Sequence, residues 1–83
     1  MLFIIFTAEG LAEAQQDVLS NKAELWLNPG LKKQSDLAVF EKAGIAVHVL
    51  PEDIDAANEK AVMTALSHVE SQSRDKEIFV EYL

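Results

Sequence analysis

The apolar positions of this chain switch between two periods. Leu2 to Thr7 is apolar on both parities, which predicts a strand covered on both faces. From Ala8 to Ser20, Leu11, Ala14 and Val18 fall at i, i+3 and i+7 with Leu19 beside them, the spacing of an amphipathic helix. Thr7 suits its N-cap, Glu9 lies near the positive end of its dipole, and Asn21 and Lys22 are stop signals. Glu24 to Leu27 predicts a second strand, ended by Asn28-Pro29-Gly30 in the residue order of a type II turn. Ser35 is placed to cap a helix over Asp36 to Ala43 that buries Leu37, Phe40 and Ala43, with Gly44 in the left-handed position after it.

Ile45 to Leu50 predicts the third strand. Pro51-Glu52-Asp53 breaks it, and a long helix is expected from there to about Ser71. Its buried stripe runs through Ile54, Asn58, Ala61, Val62, Ala65, Leu66 and Val69. After a polar connection over Ser71 to Lys76, Glu77 to Leu83 alternates as an edge strand does.

Three strand-helix units closed by a strand predict one α/β domain over residues 1–83, a small Rossmann-like sheet that is mainly parallel. The first and third strands are the most apolar, so the expected order is 2-1-3-4. Right-handed crossovers then put the first helix on one face and the other two on the second. That order leaves the first face thinly covered. Ala46, His48 and Leu50 of the third strand and Phe79 and Leu83 of the fourth are expected to form a bare patch there. Leu2, Ile4, Phe6, Val47, Val49, Leu66 and Val80 are the expected core.

Composition fits one packed domain. Of 83 residues 49% are hydrophobic, too many for a disordered segment. No cysteine is present, which removes disulfides, thiolate metal sites and cysteine nucleophiles. The longest apolar run, Met1 to Phe6, is far below the ~20 residues of a membrane-spanning helix and lacks signal-peptide flanks. Cytoplasm is the expected location. A net charge of −7, spread over both halves, disfavours sequence-independent nucleic-acid binding.

In an open parallel sheet, ligands bind beyond the carboxyl ends of the strands, where the strand order reverses. Thr7, Asn28, Lys32, Lys33 and Glu52 are the candidate binding residues at that edge, with Glu9 and Gly10 after the first strand and Asp53 and Asp55 after the third. Three acids within Glu52-Asp53-Ile54-Asp55 are of the type that holds a hard divalent cation. First-turn capping and the helix dipole account for the same acids without any ligand.

A strand followed by Glu9-Gly10, and a later strand followed by Asp53-Ile54-Asp55, resembles the pattern of the Toprim family of topoisomerases, primases and small nucleases. The resemblance implies magnesium held by Asp53 and Asp55, with Glu9 as the catalytic acid-base residue or a further ligand. The Asp pair lies two residues further from its strand than that pattern has it. No phosphate loop, dinucleotide fingerprint or Ser-His-Asp arrangement is present.

The reading of the residues themselves is a binding or interaction module of undetermined ligand, without a cofactor. It self-associates as a homodimer through His48 and Phe79. The alternative is a magnesium-dependent phosphotransfer enzyme or nuclease of Toprim type.

Overall fold

The computed structural model describes residues 1–34, 37–74 and 77–81. Strands and helices alternate through them: β1 Leu2–Ile5, α1 Ala8–Asn21, β2 Glu24–Leu27, α2 Pro29–Gln34, α3 Ala38–Lys42, β3 Val47–Val49, α4 Glu59–Gln72 and β4 Ile78–Val80. The four strands form one sheet in the order β3-β2-β1-β4, and every pairing is parallel. The α/β class is as the sequence predicts; the strand order is not.

The difference lies in β2 and β3. Leu25, Trp26 and Leu27 are all buried, so β2 is covered on both faces and sits inside the sheet. In β3, His48 and Val49 are exposed, and the strand forms an edge. Its apolar look came from Ile45 and Leu50, which flank the ladder and are buried from there. Val49, expected in the core, is 39% exposed.

Strand order decides the layers. Two successive steps from β1 to β2 to β3 put α1, α2 and α3 on one face, and the return step from β3 to β4 puts α4 on the other. On the first face Ile5, Leu25 and Leu27 pack with Leu11, Val18, Leu31 and Phe40. On the second, Leu2, Ile4, Phe6 and Trp26 pack with Val62, Ala65 and Val69 of α4 and with Leu50 and Ile54.

Local chemistry explains the ends of the elements. Thr7 caps α1, its hydroxyl accepting from the Gly10 amide at 3.0 Å, and Lys22 closes the helix in the left-handed region at φ 49°. Gly44, at φ +78°, occupies the left-handed position expected after α3. Ser35 and Asp36 lie outside the described residues, as do Tyr82 and Leu83. Leu37 and Phe40 are buried as expected, whereas Ala43 is exposed.

Two local expectations fail. Asn28-Pro29-Gly30 opens a short helix instead of a turn: Pro29 has no amide to satisfy at the first helical position, and Lys32 N–H donates to Asn28 O at 3.2 Å. The long helix starts late. Asn58 is its N-cap, accepting from Ala61 N–H at 3.1 Å, so Asn58 belongs to no buried stripe and Glu52, Asp53 and Asp55 precede the helix.

Candidate functional site

The strand order reverses between β1 and β4, not between β1 and β3 as the expected order required. At that point the chain turns from β1 into α1, and the backbone amides of Phe6 and Thr7 face outward. Glu81, just after β4, fills the place. Its Oε1 accepts from Phe6 N–H at 2.7 Å and from Thr7 N–H at 3.0 Å, and its Oε2 accepts from the Thr7 hydroxyl at 2.5 Å. A negative group beside the positive end of a helix is favourable, and this topology offers the spot to anions. Here the anion is the chain's own. Gly10 makes room for it, since a methyl on Gly10 would fall on the Glu81 carboxylate.

Beside this turn, Thr7, Glu9, Asn28, Gly30 and Asp53 line one hollow of about 490 Å³. The structure therefore brings together four of the residues expected at the sheet edge. Most of their polar atoms hold the hollow's walls. Asn28 is buried; its amide donates to Phe6 O at 3.0 Å and to Ile54 O at 2.8 Å, and its Oδ1 accepts from Ile54 N–H at 2.8 Å. One side chain thus ties the end of β1, the end of β2 and the loop after β3. Asp53 Oδ1 accepts from Gly30 N–H at 2.9 Å, across from β3 to the start of α2.

The remaining candidates stand apart. Lys32 and Lys33 are exposed in the last turn of α2, and Glu52 is exposed before Asp53. Asp55 turns its Oδ1 to Ala57 N–H at 2.9 Å, a local turn bond. Among the described residues no three His, Asp or Glu side chains form a group suited to a metal ion.

His48 and Phe79 do not share a face. His48 registers with Trp26 and stacks on it, ring centroids 4.7 Å apart, on the α4 side. There Glu24 Oε2 accepts from Trp26 Nε1–H at 2.6 Å and lies 3.9 Å from His48 Nε2. Phe79 registers with Phe3 and stacks on it at 5.1 Å, on the α1 side. Leu50, expected in the same bare patch, is 1% exposed beneath the α4 layer. The expected patch therefore does not exist as one surface, because strand order assigned the faces differently.

A different surface takes its place. Phe3, Ile5, Ala14 and Phe79 line a hollow of about 360 Å³ between α1 and β4, with Glu13, Asp17 and Glu81 in its wall. Phe79 is 45% exposed. Sequence reasoning missed Glu81 and Gly10 as partners, having read Glu81 only as part of the edge strand over Glu77 to Leu83. No local signal could have paired residues at opposite ends of the chain.

Compared with known proteins, the chain matches no family model, no curated protein and no solved structure. The fold and this geometry define a small α/β domain with an all-parallel sheet. No helix among the described residues is long and apolar enough to cross a membrane.

Proposed function

We propose that the chain is a cytoplasmic interaction module whose working surface is the open edge of β4 and the hollow between it and α1. One contrast supports this reading. Asn28, Asp53, Thr7 and Glu81 at the strand ends are engaged in bonds that hold the fold, while Phe79 stays 45% exposed over an apolar floor. An exposed aromatic continuous with an apolar floor of Phe3, Ile5 and Ala14 forms a patch, which marks a partner surface more readily than a reaction site. Either a second copy or a different protein could be the occupant, with Phe79 as the residue it would meet.

The test is a photocrosslinking amino acid placed at Phe79, and at the exposed Met63 on α4 as control, in the full chain expressed in cells. An adduct at position 79 and none at 63 is the expected result, and its mass tells a second copy from another protein. No adduct at 79, or equal adducts at both positions, overturns the reading.

A second reading is kept by one observation: Glu9 and Asp53 line the same hollow. In it, Asp53 would hold magnesium, with Asp55 as a second ligand though it does not line the hollow, the ion would supply the Lewis acidity for phosphotransfer, and Glu9 would serve as the acid-base residue. Magnesium titration followed by amide NMR separates the two. Shifts concentrated at Glu9, Asp53 and Asp55 favour the enzyme, and a flat response removes it.

A further inference from the structure

The surface beside β4 carries information about what would fit it. Among the described residues β4 pairs with β1 on one side only. Leu2 N–H donates to Glu77 O and Glu81 N–H donates to Ile4 O, so the odd residues of this stretch turn their backbone groups toward β1. Backbone direction alternates along a parallel ladder, which leaves the N–H and C=O groups of Ile78 and Val80 facing the open edge. The edge is thus a template for one further strand.

The side chains around it set the chemistry of that strand. On the α1 face, Phe79 and Phe3 offer a stacked aromatic platform. Glu13 and Asp17, one turn apart on α1, and Glu81 lie in the same wall, and among the described residues no Lys or Arg lines the hollow. Net charge is −7. A second copy would bring the same acids against these, a like-charge contact that association does not favour. An extended segment with an apolar side chain between two cations meets all three features at once.

From this we infer that the β4 edge takes a cationic extended segment of a partner protein by strand addition. Its apolar residue would lie on Phe79 and its Lys or Arg side chains beside Glu13 and Asp17. Main-chain bonds to Ile78 and Val80 supply affinity, and alternate side chains supply selection. The inference rests on the module reading above and names the partner class for the same surface.

The probe is a short synthetic peptide with Lys, Leu and Lys at alternate positions, titrated into the full chain at low salt with amide NMR as readout. Controls are its Glu-Leu-Glu counterpart and a version N-methylated on the amides that would pair. The expected result is binding of the cationic peptide alone, with shifts at Ile78, Val80, Glu13 and Asp17. Glu13→Lys with Asp17→Lys should weaken it by about tenfold, and salt should weaken it further. Should that double variant misfold by circular dichroism, Glu13→Gln with Asp17→Gln replaces it, with a smaller loss in the same direction.

Equal binding of both peptide charges, undiminished binding of the N-methylated peptide, or shifts elsewhere would overturn the inference. So would a wild type that sediments as a dimer through β4 and ignores the peptide. A crosslink at Phe79 without cationic-peptide binding leaves the module reading standing and removes only this partner; loss of both removes both.

Discussion

The Glu81 carboxylate and the Thr7 hydroxyl, 74 positions apart in sequence, meet at 2.5 Å. The same carboxylate holds the amides of Phe6 and Thr7, while the same hydroxyl accepts from Gly10 N–H. Thr7 thus links the cap of α1 to the last described strand. The contact fastens the edge strand β4 to the turn that leaves its central neighbour, and it does so with charge-assisted bonds.

Glu81→Ala is expected to destabilise the chain by about 1–3 kcal/mol, because two amides and a hydroxyl lose a charged acceptor. Gly10→Ala should also destabilise, by no more than Glu81→Ala, since the new methyl displaces the carboxylate. In the Glu81→Ala background the sign should reverse, with alanine stabilising by about 0.5–1 kcal/mol through its helix propensity. Urea midpoints of the four proteins check the cycle; additive effects would show that Gly10 and Glu81 do not interact.

Asn28→Ala should cost on the order of 3 kcal/mol, for it leaves Phe6 O, Ile54 O and Ile54 N–H without their buried partner. Asn28→Asp keeps the shape but sets a carboxylate oxygen against two carbonyls, so it should be at least as damaging at neutral pH. Thermal unfolding of both variants tests this. A mild Asn28→Asp would mean the amide is not the clamp described above.

The C-terminal end of β3 and the residue after it give a test of register. Leu50 is 1% exposed under α4, and Leu50→Ala should cost about 2–5 kcal/mol. Val49, 39% exposed, should lose less than about 1 kcal/mol on the same change. Denaturant midpoints that ranked the two the other way would indicate a strand slipped by one residue.

Asp53 accepts one amide bond, from Gly30. Asparagine offers the same acceptor, so Asp53→Asn should move stability by less than about 1 kcal/mol, and Asp53→Ala should cost about 0.5–2 kcal/mol as a lost cap does. Under the magnesium reading, Asp53→Asn would instead remove a metal-dependent gain in thermal stability. Melting with and without magnesium distinguishes the outcomes.

Much of the fold was legible because its signals are local. The both-parity apolar run of β1, the cap at Thr7, the bounds of β2 and the left-handed Gly44 each follow from a few neighbouring residues and the backbone's limited menu. The late start of α4 was not legible. Acids at 52, 53 and 55 look like a first turn, and only the competing bonds of Asp53 to Gly30 and Asp55 to Ala57 show why they stay out of it.

The site divides along the same line. Thr7, Glu9, Asn28 and Asp53 were placed together by a general rule about strand ends, which needs topology only roughly. Where the order reverses needs it in detail, and that depended on whether β2 or β3 is the edge. The apolar totals of the two strands did not decide this. What decided it was that Trp26 is covered by α4 and closes over Glu24, while His48 rests on the outside of the indole.

By itself, the sequence determined the four strands, the helices other than α2, the α/β class and most of the groups at the strand ends, because hydrogen-bonding and burial periods are written residue by residue. Strand order, the separation of His48 from Phe79 and the meeting of Glu81 with Thr7 were decided only by tertiary packing. They depend on which faces find cover, a property of the whole sheet that no segment carries alone.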